Sequence, residues 1–254
     1  MVLGQSSIMN FTHVYEAYGF MQGDAFSWVD CTQIEGTDCY CDVEAERQLK
    51  KLMEGLPLQA VHWIDSGDYH YMSKLWTDRI EEPFTLVVLD HHPDMQPPMF
   101  GELLSCGCWV RSVLQQNPSV EKVWLIGVDD KLLGETAGFP GKVEVISESE
   151  LRRQPIQEIV QRIDVKGPVY VSIDKDVMSV NECTTNWDQG SLTWTQLTAL
   201  LEYVMQGQVL GIDICGEEPK MLTHCCYGPD ARMNEKFNEN LFNYLKSADN
   251  FSRV

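Results

Sequence analysis

Short apolar runs alternate with amphipathic segments along most of the chain. The runs are rich in β-branched and aliphatic residues, are bounded by turn residues, and cover residues 60–64, 84–89, 122–126, 143–146, 168–173 and 208–214. Apolar residues recur at helical spacing in segments 42–56, 109–115, 157–163, 195–205 and 231–245. Runs without a polar face are typical of strands that helices cover on both sides. The pattern predicts an α/β fold of three layers, α/β/α, around a mainly parallel sheet.

The rest of the pattern indicates one domain. No segment is of low complexity, no repeat recurs, and no Pro/Gly-rich linker divides the 254 residues into halves of different composition. Chains of roughly 200 to 250 residues often form a single α/β domain. We therefore expect one domain over residues 1–254, with Asp42 as a helix N-cap. The less regular N-terminal segment is expected to form a first strand followed by a loop.

The net charge, the apolar stretches and the first residues limit which partners and which compartment we expect. The net charge is -19, and such a surface repels phosphate backbones and anionic lipids unless a basic patch intervenes. The sequence shows no such patch and no apolar stretch near the ~20 residues that span a bilayer, so we expect neither a nucleic-acid nor a membrane partner. The first residues lack the basic and apolar parts of a secretory signal, which favours the cytoplasm.

The nine cysteines are an odd number, which fits a reducing compartment better than a disulfide framework. Cys39 with Cys41, and Cys106 with Cys108, are close enough in sequence to suggest metal pairs. Neither pair has the spacing of a zinc knuckle. We expect most of these thiols to be buried or incidental.

Asp90, His92 and Asp94 directly follow the apolar run 84–89. Alternate side chains of an extended segment share a face, so these three residues can converge on one point while His91 points away. In open parallel sheets, ligand sites lie beyond the carboxyl ends of the strands, and this cluster falls at such an end.

Asp174 and Asp176 follow the run 168–173 in the same way. Crowded carboxylates repel one another unless cations neutralise them. Oxygen ligands with a minority of imidazole suit manganese or magnesium better than a structural zinc site, which favours thiolates. The two motifs together predict a site for divalent metal ions, although either one alone could be an acidic loop or a helix N-cap.

His70 lies a few residues beyond a third run, 60–64, and within reach of the same edge of the predicted sheet. A histidine alone at such a position is more often a surface or packing residue. The repeated arrangement of a strand followed by a ligand favours its assignment to the metal site.

These motifs resemble those of the arginase and agmatinase ureohydrolases, which share a fold with the histone deacetylases. The resemblance extends from about residue 60 to residue 219. The Asp-x-His-x-Asp motif of the family is matched by residues 90–94, and its Ser-x-Asp-x-Asp motif by residues 172–176, which begin with Ser172. Its Gly-Gly-Asp-His motif is matched loosely by residues 67–70, with one extra residue before the histidine.

The resemblance implies an arginase-like fold and two Mn²⁺ ions as cofactors, with other divalent metals as alternatives. One ion would be held by His70, Asp90, Asp94 and Asp174. The other would be held by Asp90, His92, Asp174 and Asp176, so that Asp90 and Asp174 bridge. A hydroxide between the metals would attack a C–N carbon of a small cationic or amide substrate, namely a guanidine, amidine or amide.

Asp94 and Glu217 are the residues expected to be catalytic, and the second of these departs from the family pattern. Ureohydrolases bind the substrate guanidinium with the glutamate of a Glu-Val-Asn-Pro motif. Alignment of that motif on Pro219 places Gly216 at the glutamate position. A shift of one residue would let Glu217 bind the substrate cation; the alternative is that Glu217 and Glu218 belong to a solvated turn.

Cys106 marks a second departure, because a histidine that ureohydrolases often carry in this region is missing. A thiol does not shuttle protons near neutral pH as imidazole does. Cys106 is either a buried thiol or a substrate contact. Both departures argue against a standard arginase.

Two other functions remain open at this stage. The chain could be a regulatory or structural member of the fold that binds metal without turnover, or a zinc amidohydrolase of the deacetylase type. Ureohydrolases often form trimers or hexamers, so a homo-oligomer is expected by analogy alone.

Overall fold

The computed structural model of the chain describes residues 4–99, 101, 103–219 and 228–251. Its strands are β1 (Ser6–Asn10), β2 (Phe26–Asp30), β3 (Tyr40–Cys41), β4 (Val61–Trp63), β5 (Phe84–Leu89), β6 (Leu104–Ser105), β7 (Val120–Val128), β8 (Val143–Ser147), β9 (Val169–Asp174) and β10 (Val209–Cys215). Its α-helices are α1 (Val43–Leu52), α2 (Met72–Thr77), α3 (Trp109–Gln116), α4 (Glu148–Arg153), α5 (Ile156–Arg162), α6 (Trp194–Val204) and α7 (Pro229–Phe251).

An eight-stranded sheet in the order β2-β1-β4-β10-β9-β5-β7-β8 forms the centre of the molecule. Every neighbouring pair in this sheet runs parallel. A second, two-stranded sheet pairs β3 with β6 in antiparallel fashion. The predicted α/β class with a mainly parallel sheet is thereby confirmed.

The strand β5 shows why helices lie on both faces of the sheet. Leu86 and Val88 belong to one core cluster with side chains of α1, α2 and α3, whereas Val87 and Leu89 belong to another with side chains of α4 to α7. Successive residues of a strand point to opposite faces, so a strand that is apolar throughout must be covered twice. The result is the predicted three-layer arrangement.

The predicted strands and helices all occur, and their ends differ from the predictions mainly by a few residues. The helix predicted over 42–56 ends already at Leu52, and Asp42 caps it by accepting a hydrogen bond from the Ala45 amide. The N-terminal prediction was incomplete, because β2 follows β1 where a loop was expected. Among the described residues, no helix is long and apolar enough to cross a membrane.

Candidate metal centre

The carboxyl ends of β4, β10, β9 and β5 lie side by side at the centre of the sheet. They open into a cavity of about 280 Å³. The cavity is lined by all of the predicted metal ligands: His70, Asp90, His92, Asp94, Asp174 and Asp176. The strand order therefore brings together three motifs that are far apart in sequence.

The first part of the cluster surrounds His70, whose side chain is buried. Its Nδ1 atom lies 3.2 Å from Asp90 Oδ2, 3.0 Å from Asp94 Oδ2 and 3.4 Å from Asp174 Oδ2. Imidazole and carboxylate atoms that converge in this way can hold a single cation between them.

The other nitrogen of His70 is fixed by a hydrogen-bond chain. Ser172 Oγ donates to Asp213 Oδ1 at 2.7 Å and lies 2.8 Å from His70 Nε2. Because the serine proton is directed to Asp213, His70 Nε2–H must be the donor to Ser172. Nδ1 then presents its lone pair to the carboxylates, as a metal ligand requires.

The second part of the cluster surrounds His92. Its Nδ1 atom lies 2.8 Å from Asp176 Oδ2 and 3.7 Å from Asp90 Oδ1. Asp90 thus turns one oxygen toward each histidine, as a bridging ligand would. Asp174 differs, because its Oδ2 faces His70 while its Oδ1 accepts a hydrogen bond from the Asp176 amide at 2.9 Å. A bridging role for Asp174 stays a prediction.

The chain after β5 does not remain extended, although extension was the basis for predicting convergence. Asp94 has a left-handed backbone with φ of 49°, and Trp109 Nε1–H donates to its Oδ2 at 2.7 Å. Trp109 thereby aims the carboxylate at the cavity, a role that the sequence did not reveal. His91 is buried and, as expected, is not among the residues that line the cavity.

Burial and mutual repulsion dominate the electrostatics of the carboxylates. Burial, followed by the charge of Asp90, raises the pKa of Asp94 to about 7. Burial and neighbouring aspartates also raise the pKa values of Asp174 and Asp176. Burial opposes ionisation of Asp90 as well, but His70 and His92, when protonated beside it, outweigh burial and lower its pKa. Cations would relieve this repulsion.

Asp90 Oδ2 offers a direct test of whether divalent ions fit the site. This buried oxygen accepts no hydrogen bond within the described part of the chain, although buried carboxylate oxygens normally have a donor. The donor set of carboxylates and imidazoles suits a hard divalent ion such as Mn²⁺. The residues present therefore fit a metal centre.

Other parts of the cavity wall come from segments outside the central sheet, and the sequence did not indicate their role. Trp187 packs edge-on against the His92 ring at 5.8 Å and donates from Nε1 to Asp68 Oδ1 at 3.0 Å. Tyr40 and Glu135 line other parts of the wall. No pattern of apolar spacing marks such residues, because isolated loop side chains carry no periodic signal.

Cys106 and Cys39 both line the cavity as free thiols. Burial, followed by the charge of Asp94, raises the pKa of Cys106, which keeps the thiol neutral and unsuited to proton transfer. Within the described residues, Cys39 groups with Asp38 and Asp68 rather than with Cys41. Cys108 is buried and is no cavity residue. The two cysteine pairs therefore do not form the metal sites that their sequence spacing suggested.

Glu217 does not face the cavity. Its side chain is fully buried, forms an ion pair with Lys175 Nζ, and also accepts hydrogen bonds from Asn238, Asn234 and Tyr18. It belongs to neither a solvated turn nor the cavity wall. Its predicted contact with a substrate cation is therefore absent from this arrangement, in which the cation is a lysine of the same chain.

The surroundings of residue 216 explain why this position, which aligns with the family's glutamate, carries glycine. Its backbone has φ of 91°, and an added Cβ would lie 2.4 Å from Asp174 Oδ1. Glycine avoids both the left-handed strain and this collision. Close packing between β10 and a ligand of the cluster thus excludes a side chain at residue 216.

Comparisons with known proteins agree with this architecture. The model of the Arginase family matches residues 62–224. A Thermotoga maritima protein described as uncharacterized is 29% identical over 211 residues, which are 83% of this chain and 78% of that protein.

Solved structures of other proteins resemble the fold, and two serve as examples. Agmatine ureohydrolase of Thermoplasma volcanium has a TM-score of 0.67 and 15% identity, covering 99% of this chain and 92% of that chain. Trypanosoma cruzi formiminoglutamase with Mn²⁺ has a TM-score of 0.64 and 11% identity, covering 92% of this chain and 91% of that chain. At such identities, the similarity concerns the fold.

Proposed function

Because the chain belongs to the arginase family, we propose that it is a metal-dependent hydrolase of a C–N bond in a small guanidine, amidine or amide. One observation carries the proposal: imidazoles and carboxylates from the ends of β4, β5 and β9 converge in one cavity, with Asp90 directed at both histidines. Such a cluster, buried and acidic, has a clear chemical use in holding cations.

We assign one ion to His70, Asp90, Asp94 and Asp174, and the other to Asp90, His92 and Asp176 with Asp174 as a further ligand. When bound, a pair of divalent ions lowers the pKa of water toward ~7 and so supplies a hydroxide nucleophile at neutral pH. Manganese is the proposed metal, since the donor set suits it and the related Trypanosoma cruzi structure contains it.

The chain's own residues give the cavity its selectivity. Trp187 and Tyr40 present aromatic surfaces, and Glu135 adds a carboxylate to a wall that is already acidic. Aromatic faces and carboxylates attract planar cations. The volume of about 280 Å³ is at the lower end for ligand pockets, which favours a small substrate. Glu217 is not assigned to the substrate, because Lys175 is its ion-pair partner.

The proposal is tested by incubating manganese-loaded protein with arginine, agmatine, guanidinobutyrate and formiminoglutamate. Release of urea, formamide or ammonia is measured for the wild type and for the variant Asp90→Asn. We expect at least one compound to be hydrolysed by the wild type alone. If no compound yields product above the Asp90→Asn control, the chain is no hydrolase of this panel.

A second candidate function is a metal-binding protein without turnover. It is favoured by the engagement of Glu217 with Lys175 and by the neutral Cys106 thiol, since both positions fall where ureohydrolases handle substrate. This candidate predicts stabilisation by manganese in melting experiments together with an inactive panel. A content of one zinc per chain would instead indicate a deacetylase-type amidohydrolase.

A further inference from the structure

Lys175 and Glu217 form an ion pair beside the metal centre, and neither side chain is exposed to solvent. Lys175 lies between Asp174 and Asp176 in sequence and directs its ammonium away from the cavity that these two aspartates line. Glu217 follows the end of β10, the strand next to β9. The pair therefore joins the two loops that follow the central strands.

The carboxylate of Glu217 has partners on both oxygens. Oε1 accepts from Lys175 Nζ and from Asn238 Nδ2 at 2.6 Å, and Oε2 accepts from Tyr18 at 3.0 Å and from Asn234 at 3.1 Å. Asn238 Oδ1 in turn accepts from Lys175 Nζ at 3.2 Å. Both asparagines lie on α7, so the network fastens this helix to the loops of the metal centre.

The charges of Lys175 and Glu217 cancel, and this limits the electrostatic effect of the pair on the neighbouring aspartates. A lone ammonium at Lys175 would repel cations in the cluster, and a lone carboxylate at Glu217 would add to the repulsion among the aspartates. The neutral pair does neither. Burial of two charges brings little stability in itself, so the role that fits is geometric. The contacts of Lys175 with Glu217 and Asn238 hold the turn that carries Asp174 and Asp176 in one orientation.

We propose that Lys175 and Glu217, held by Asn238, are positioning residues that orient Asp174 and Asp176 toward the cavity and thereby set its affinity for divalent ions. This inference rests on the proposed function in one respect, that the cluster binds such ions. It replaces the role of Glu217 as a substrate contact.

The test is a Mn²⁺ titration in which free Mn²⁺ is followed by electron paramagnetic resonance, so that bound ions are counted without any assay of activity. The double variant Lys175→Met/Glu217→Gln removes both charges together and leaves no unpaired charge in the core. We expect it to bind Mn²⁺ about 10- to 100-fold more weakly than the wild type, the range found when residues that orient ligands are removed.

A matched control is the double variant Lys74→Met/Asp78→Asn. Lys74 is also buried and donates to Asp78 at 2.7 Å, but neither residue lines the cavity. This variant loses an ion pair whose Asp78 is partly exposed, so it reports the effect of losing an ion pair elsewhere in the fold. Its Mn²⁺ affinity should equal that of the wild type.

Each outcome of the titration supports or overturns the positioning role of Lys175 and Glu217. Wild-type affinity in a folded Lys175→Met/Glu217→Gln protein overturns this inference and leaves the proposed function standing, whereas a wild type that binds no Mn²⁺ overturns both. If the double variant does not fold, Asn238→Ala decides, because it keeps both charges and removes the amide that contacts them. Weakened binding then supports the inference, and unchanged binding overturns it.

Discussion

At the scale of single residues, the site depends on side chains that orient the ligands. His70 meets the carboxylates through Nδ1 because Ser172, whose proton is directed to Asp213, accepts from its Nε2. Asp94 has a comparable support in Trp109. Such contacts fix both the direction of a ligand and its tautomer, and their loss weakens metal binding without removing a ligand.

Ser172→Ala is therefore expected to lower the affinity for Mn²⁺ by about 10- to 100-fold. The variant leaves His70 in place but removes the link to Asp213. Ser73→Ala is the matched control, since Ser73 donates to the same Asp213 oxygen at 3.0 Å without being the partner of His70. Calorimetric titration with Mn²⁺ measures both variants, and an equal loss of affinity in the two would contradict the role given to Ser172.

Glu135→Gln is expected to raise KM for a cationic guanidine by about tenfold while kcat stays close to that of the wild type, because a cavity carboxylate would be lost. Steady-state kinetics on the compound that the panel identifies provide the measurement. Asp129→Asn is the control: it also removes one negative charge, but from a residue outside the cavity wall, and so measures the effect of the change in net charge alone. A fall in kcat with unchanged KM would place Glu135 at the reacting atoms instead.

At the scale of secondary-structure elements, a buried histidine links β4 to its neighbours. His62 Nε2–H donates to the Leu58 carbonyl at 2.9 Å, Nδ1 lies 2.8 Å from Ser7 Oγ on β1, and the ring stacks on Trp76 of α2 at 3.5 Å. Burial lowers the pKa of His62 to about 3. The native contacts thus require the neutral ring.

This histidine gives the fold a pH dependence whose sign follows from its two pKa values. The unfolded chain takes up a proton below pH 6.5, and the folded chain does so only below about 3. The contribution of His62 to stability is therefore fully present above pH 6.5 and decreases as the pH falls from 6.5 toward about 3, by roughly 1.4 kcal/mol per pH unit. Urea unfolding at several pH values should show a smaller decrease for His62→Gln; equal slopes for both proteins would refute the assignment.

The elements also show which parts of the structure the sequence could predict. The strands β5 and β9 are largely apolar and are buried along their whole length, so their burial on both faces and the ligands at their ends follow from pattern alone. The helix α2 was missed because it is buried on all sides, polar Ser73 and Thr77 included, and so has no amphipathic stripe.

The partners of single side chains were beyond prediction for a different reason. Glu217 was expected to bind a substrate cation, and nothing local in the sequence indicates that Lys175 would reach it across neighbouring strands. The local sequence does not predict the left-handed backbone at Asp94 either, because that conformation depends on contacts such as the one with Trp109. Periodicity predicts faces, whereas these partners follow from tertiary packing.

At the scale of the whole molecule, a net charge of -19 combines with a buried group of carboxylates to favour the binding of cations. Any ligand bound by the folded state alone stabilises that state. The proposed metal centre joins loops after three central strands, and the network of Lys175 and Glu217 extends it to α7. Occupation by metal should therefore stabilise the fold as a unit.

Manganese at about 100 times its dissociation constant is accordingly expected to raise the melting temperature by roughly 5 to 10 °C, and a chelator should reverse the shift. Differential scanning calorimetry measures the effect. The Asp90→Asn variant loses the negative charge and replaces one of the two oxygens that face the histidines with an amide nitrogen, so it should shift far less. A melting temperature that changes with neither manganese nor chelator would show that the cluster binds no ion in solution.

The most direct test of the metal centre is the anomalous difference map of a crystal grown with Mn²⁺. We predict two peaks in the cavity, one beside His70 and Asp94 and the other beside His92 and Asp176, with Asp90 contacting both. A map with no peak at these residues, or with a single peak that Asp90 does not contact, would contradict the assignment of two metal ions to this cavity.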